Sequence, residues 1–241
     1  MPSDGHATAP APGSGRGALL VARICRTCVR SLPVTGAAVS VMTAAGHRGV
    51  VFATDVTARR LDDVQFTLGT GPGVTAFSAG TVQVIPDIDT DGGPASGWPA
   101  FREAADHLGV RALLAFPLRL GAASLGVLTL YRDEVGLFDG MDMAHALRLA
   151  DMAAAALLDL MVNIPADGAP TAADGSLTEP DAEFYRAEIY QAAGMVTVQL
   201  GVSIEVAMAR LRAHAFATGR PTGEIARDIV GRKIRLEADT N

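Results

Sequence analysis

The most reactive side chains in the sequence are two cysteines three residues apart, Cys25 and Cys28. A C-x-x-C pair can exchange thiols or supply two soft metal ligands, yet a tetrahedral site needs four, and the chain has no other cysteine. Only a site bridging two chains would be complete. Val21, Ile24, Cys25, Cys28, Val29 and Leu32 recur at spacings of three and four, which places both thiols on the apolar stripe of a helix and favours small buried hydrophobes. His47, His107, His145 and His214 fall in different segments without a metal-binding spacing. Asp87 and Asp89 flank Ile88 at the end of a strand-like run, so alternation sends both carboxylates to one side, where solvated loop acids are the expectation. Gly69, Gly71, Pro72 and Gly73 form a Gly-rich turn that lacks the Lys and Ser/Thr of a phosphate-binding loop, which predicts a tight turn. These residues predict a non-enzymatic protein with no catalytic side chain, no metal and no cofactor.

Charge supplies a different signal. The chain has 20 basic and 26 acidic residues, a net charge of −6, which argues against a general nucleic-acid binder. The stretch 200–235 reverses the sign, with seven cations (Arg210, Arg212, Arg220, Arg227, Arg232, Lys233, Arg235) against Glu205, Glu224 and Asp228. At 100° per residue Arg210 and His214 share a helix face and Arg212 diverges from them. Tyr185 and Tyr190 are polar-tipped aromatics that suit either stacking on an unpaired base or packing in a core or dimer contact.

The elements that must position these groups fall into two regions. Residues 1–16 have neither a basic nor an apolar signal region and read as a disordered tail, which predicts a cytoplasmic protein. In 17–163 a helix from Gly17 to Leu32 precedes strands at 37–42 and 49–54, and QFTLGTGPG reads as a short strand entering a turn. A short helix VTAFSAG, a strand TVQVIPDI, a helix FREAADHLGV and two apolar strands around Gly121 follow. The Ala/Leu/Met-rich run 139–163 is a long helix. The implied class is α+β, an antiparallel sheet covered by helices. Leu147, Leu149, Met152, Leu157 and Leu160 cannot all face that sheet, which predicts a homodimer. A Pro/Gly/Ala-rich linker covers 164–179. The remainder, 180–237, reads as three helices, started by Pro180, Ser203 and Pro221 and stopped by Gly201 and Gly219.

The run from Arg186 to Val230 resembles the ANTAR domain, a three-helix RNA-binding module of bacterial transcription antiterminators. Arg186, Gln191, Ala192, Gly194 and Met195 fall on its first-helix signature, Gly201, Ala207, Leu211 and Arg212 on the second helix, and Ala226 on the third. LGTGPG (68–73), VIPDI (84–88), GWPAF (97–101), FPLRLG (116–121) and LGVLTLYR (125–132) resemble the recurring segments of the GAF domains that precede ANTAR modules in many GC-rich bacteria. The resemblance implies a GAF domain followed by an all-α ANTAR domain, in a signal-responsive regulator that binds RNA hairpins in nascent transcripts and promotes antitermination. The implied RNA-binding residues are Arg186, Gln191, Gly194, Arg210, Arg212, His214 and Arg220, with Gly194 and Ala192 allowing close helix packing. Ala193 stands where many ANTAR first helices have Lys, so Ala193→Lys is expected to add a phosphate contact. An unidentified small-molecule ligand of the GAF domain stays open. So do two rival functions: a three-helix module that binds DNA or only dimerises, and a GAF-type thiol-dependent reductase.

Overall fold

A computed structural model of the chain describes residues 14–43, 46–90, 92–136, 138–162, 180–218, 220 and 222–236. The expected linker at 164–179 lies outside them, as does the tail up to residue 13. Helix α1 runs Ser14–Ser31, so the last three residues assigned to the tail are helical. Its stripe is as the spacing requires: Val21, Ile24, Cys25, Cys28 and Leu32 are all buried.

Five strands form one antiparallel sheet in the order β2-β1-β5-β4-β3, with β1 Gly36–Thr43, β2 Gly46–Ala53, β3 Gln83–Ile85, β4 Ala112–Leu120 and β5 Ala123–Arg132. Both faces of the sheet are covered, so β4 and β5 read as nearly continuous apolar runs. Leu114, Phe116, Leu118, Leu128 and Leu130 face the layer of α1 and the long helix α5 (Gly140–Val162). Leu113, Ala115, Val127 and Tyr131 belong to the opposite core, with Leu61, Ile88 and Phe101. That second layer consists of α2 (Val56–Leu68), α3 (Pro72–Ala79) and α4 (Pro99–His107).

Helix α2 corrects one expectation, since the segment QFTLGTGPG was read as a short strand. Asp55 caps the helix by accepting from the Ala58 amide at 2.8 Å, and Gly69, at φ 67, ends it. Its buried positions, Ala58, Leu61, Asp62, Gln65 and Phe66, have helical spacing, but two of the five are polar. The apolar period is therefore broken in the sequence although the buried stripe is continuous. Both polar members are satisfied internally. The Ser40 hydroxyl donates to the Asp62 carboxylate, and Gln65 Oε1 accepts from the Gly73 amide at 2.6 Å. The Gly-rich turn is thus a tight turn filled by Gln65, whose Oε1 lies 2.8 Å from where a Cβ on Gly71 would sit.

The C-terminal region is a bundle of α6 (Pro180–Leu200), α7 (Ile204–Thr218) and α8 (Thr222–Val230). Gly201, at φ 65, breaks the chain between the first two, and Ser203 Oγ accepts from the Val206 amide at 3.4 Å as the cap of α7. Ile189, Ala192, Ala193, Val196, Ala207, Leu211, Ile225, Ala226 and Ile229 make its core. One further member comes from the first domain: Phe66 of α2.

Candidate nucleic-acid interface

Arg220, Arg227 and Lys233 gather in one place on the bundle and Arg212 lies in another. Arg220 just before α8, Glu224, Arg227 and Asp228 on it, and Gly231 and Lys233 in the turn after it line a cleft of about 330 Å³. Asp228 organises it: Arg220 Nη2 donates to one carboxylate oxygen at 2.7 Å, and Lys233 Nζ lies 3.3 Å from the other. Arg220 also meets Glu224 at 3.4 Å, four residues on, and Arg227 meets Glu188 of α6 at 3.2 Å. The hydrogen bond from Arg220 holds the Asp228 carboxyl below its ordinary range, and the same bond raises the Arg220 guanidinium. The turn after α8 closes with the Lys233 amide on the Asp228 carbonyl and the Arg232 amide on the Ile229 carbonyl, which puts Arg232 at φ 57. That turn brings Lys233 back over the cleft.

Arg212 sits elsewhere. Its Nη2 donates to the Phe66 carbonyl at 3.1 Å, in the last turn of α2. The guanidinium occupies the space that a side chain at Gly69 would take, with Nη1 2.6 Å from the Cβ position. Burial lowers the Arg212 pKa, a loss partly offset by Tyr190. Tyr190 packs against Phe66 with ring centroids 5.9 Å apart, so of its two sequence readings, base stacking or packing, it adopts packing.

The other expected site residues scatter. Gln191 is exposed on α6, and Arg210 and His214 are half-buried on α7. Arg186 and Tyr185 lie on α6, with side chains outside the described residues. Two expectations are corrected, one of packing and one of RNA contact. A Cβ at Gly194 would meet nothing within 4 Å, so this glycine does not permit a close helix approach, whereas Ala192 is fully buried as expected. Ala193 is also fully buried in the bundle core, so a Lys there would lose its hydration before it reached a phosphate.

The sequence reading missed three residues. Arg227 and Lys233 share the cleft of Arg220; the spacing 224, 227, 228 on one face of α8 signals the place of Arg227, and no local pattern signals that of Lys233. Phe216 is 91% exposed on α7, one position off the buried stripe of Leu211 and Ala215. An apolar aromatic displaced from the stripe was the available signal.

The remaining reactive groups are used structurally. Asp87 and Asp89 do share a side, but instead of standing in solvent they converge on Arg111, at 3.6 and 2.5 Å. Cys25 and Cys28 are free thiols buried in α1. Burial, with the neighbouring Cys28, pushes the Cys25 thiol far up, and burial pushes Cys28 up to about 12. Both are neutral near pH 7 and poor nucleophiles. Among the described residues no group of three or more His, Cys, Asp or Glu could hold a metal, and no single helix is long and apolar enough to cross a membrane.

Comparison with known families assigns both regions. The GAF domain model matches residues 19–157 and the ANTAR domain model matches 185–230. The chain belongs to the GAF family and carries an ANTAR domain after the GAF domain. A GAF–ANTAR protein joins a sensory to a regulatory module, so this chain is a signal-sensing regulator. Similar solved structures include a type II free methionine-R-sulfoxide reductase from Thermoplasma acidophilum, with 14% identity and a TM-score of 0.47 over 60% of this chain and 94% of that one. A GAF domain/HD domain protein from Geobacter sulfurreducens has 12% identity and a TM-score of 0.46, covering 62% and 97%. The GAF domain of an Acinetobacter phosphoenolpyruvate-protein phosphotransferase has 10% identity and a TM-score of 0.47, covering 63% and 96%. Values this low say nothing about activity. Comparison with curated proteins gives no match.

Proposed function

We propose that the GAF–ANTAR protein is a cytoplasmic regulator that binds RNA hairpins in nascent transcripts through its ANTAR domain and promotes transcription antitermination in response to a signal received by the GAF domain. The observation that carries this reading is the coincidence of the ANTAR match with a three-helix bundle in which Arg220, Arg227 and Lys233, before, on and after the third helix, surround one cleft. The signal is a small-molecule ligand of the GAF domain in this reading.

The chemistry follows from the form of RNA. An A-form major groove is too deep and narrow for side chains to read, so a small helical module recognises loops, where phosphates are accessible and bases are splayed. Arg220, Arg227 and Lys233 would exchange their present carboxylate partners for loop phosphates, and Gln191, Arg210 and His214 would supply polar contacts. Phe216 offers a face on which an unpaired base can stack. A homodimer would present two such bundles to tandem hairpins. Exposed Leu147, Met152 and Leu158 on α5, beside exposed Leu19 on α1, support pairing through that layer.

Crosslinking followed by sequencing of RNA bound in cells tests the reading. Enrichment of paired hairpins that overlap terminators is the expected result. Recovery of no RNA above background, with retention on duplex DNA at matched salt, would favour the DNA-binding alternative. The thiol-reductase alternative requires a reactive thiolate, whereas the chain's two cysteines are buried and neutral.

A further inference from the structure

The placement of Arg212 has a consequence for control. This cation lies on the ANTAR second helix, yet its guanidinium donates to a carbonyl of the GAF domain, 146 residues earlier in the chain. The carbonyl belongs to the last turn of α2, where backbone oxygens lack helical partners and the helix dipole favours a positive charge. Gly69 leaves the space the guanidinium fills. Phe66, the residue that supplies the carbonyl, is itself buried in the ANTAR core and packs against Tyr190 with the two rings tilted by 54°. The contact is therefore built from both sides.

Helix α2 is also tied by side-chain hydrogen bonds to several elements of the GAF domain. Asp62 accepts from Ser40 on β1, which pairs with both β2 and β5, and Gln65 holds the amide of Gly73 at the start of α3. Asp55, its cap, accepts from the Tyr131 hydroxyl of β5 at 3.0 Å. A shift of the α2–α3 layer must move the carbonyl that Arg212 holds.

We propose that the C-terminal end of α2 masks Arg212, so that the GAF domain sets RNA affinity by keeping or releasing this one guanidinium. The inference rests on the RNA-binding reading above and specifies its regulation. In the masked state Arg212 is sequestered and RNA binding relies on the α8 cleft; in the released state Arg212 adds a phosphate contact.

The test uses the full chain with ¹⁵N-labelled arginine. Arg212→Gln identifies the Arg212 side-chain NMR signal, which should be slowed in exchange with water in the wild type. Gly69→Asn keeps a residue that tolerates positive φ but fills the cradle, and the flexible guanidinium is the group that must move. Gly69→Ala is the milder variant at the same place, and far-UV circular dichroism checks the fold of both. Either variant should abolish the protected signal, tighten hairpin RNA binding several-fold and steepen the salt slope by about 0.7 to 0.9, one released counterion. In the Arg212→Gln background the Gly69 change should leave affinity unmoved. An Arg212 signal that is unprotected in the wild type overturns the masking contact. A protected signal lost in Gly69→Asn without any gain in RNA affinity overturns the regulatory role alone. Failure of every variant to bind RNA at low salt overturns the RNA reading, and the masking of RNA binding with it, while the protected signal still reports the interdomain contact.

Discussion

The GAF and ANTAR domains use their polar residues in opposite ways. In the GAF domain Asp55, Asp62, Gln65 and Tyr131 bond to partners within the fold and fix how α2 and α3 lie on the sheet. In the ANTAR domain charged residues cluster at the surface, around the α8 cleft, over a core of small and medium apolar side chains. The difference follows from thickness. A sheet covered on both faces has an interior large enough to enclose polar pairs, whereas a bundle of only three helices has little interior and takes Phe66 from its neighbour. A domain that completes its core with another domain's side chain cannot be indifferent to that domain's state.

Removing the shared residue breaks the comparison most severely. Phe66→Ala should destabilise the chain by about 3–5 kcal/mol, the usual range for a buried phenylalanine. Calorimetry should show the ANTAR transition separating to lower temperature; a single transition shifted by less than a degree would contradict the shared core.

The thiols sharpen the account of the GAF interior. With Cys28 pushed up to about 12 from 9, its thiolate near pH 8 is about a thousandfold scarcer than in an unfolded chain. Because the folded pKa is the higher one, this group favours the folded state fully below pH 9 and loses that contribution as pH rises toward 12. Labelling of native protein at pH 8 should await unfolding, and rapid labelling would reopen the reductase alternative.

On the outer side, Phe216→Ala should weaken hairpin binding by about 1–3 kcal/mol, the range for a base stacked on an aromatic, without changing the salt slope or the melting temperature. A change in slope would mean that the variant disturbed the cationic cleft instead. The smallest effect is expected at Gly194. With nothing near its Cβ position, Gly194→Ala should stabilise the chain by about 1 kcal/mol through helix propensity. Thermal unfolding reads the sign directly, and destabilisation would restore the close-packing role first expected of this residue.

Legibility in the sequence tracked how local each cause was. The stripe of α1, the apolar runs of β4 and β5, the start of α6 and the break between α6 and α7 depend on neighbours a few residues apart, and all were readable; the expected stop Gly219 and start Pro221 lie outside the described residues. Helix α2 was not, because Asp62 and Gln65 are buried by tertiary partners, so the pattern that marks a helix was interrupted where the fold bends its own rule. The candidate site was legible as a basic segment but not as a shape. Arg220 was found without its cleft companions Arg227 and Lys233, and nothing local tells that Arg212 faces Phe66. Ala193 and Gly194 were misread for a related cause: their places relative to a signature, Gly194 as a match and Ala193 as a departure, gave a role, while burial was decided by how α6 sits on α7 and α8.

The central claim is that the outward charge of the ANTAR domain serves RNA. Equilibrium binding of the full chain to a tandem-hairpin RNA and to duplex DNA of equal length, followed across a range of salt, tests it most directly. The account predicts tighter binding to the hairpins at every salt, with a log–log slope that falls by about one for each cation neutralised among Arg220, Arg227 and Lys233. Equal affinity for the two nucleic acids, or a slope indifferent to those three substitutions, would contradict it.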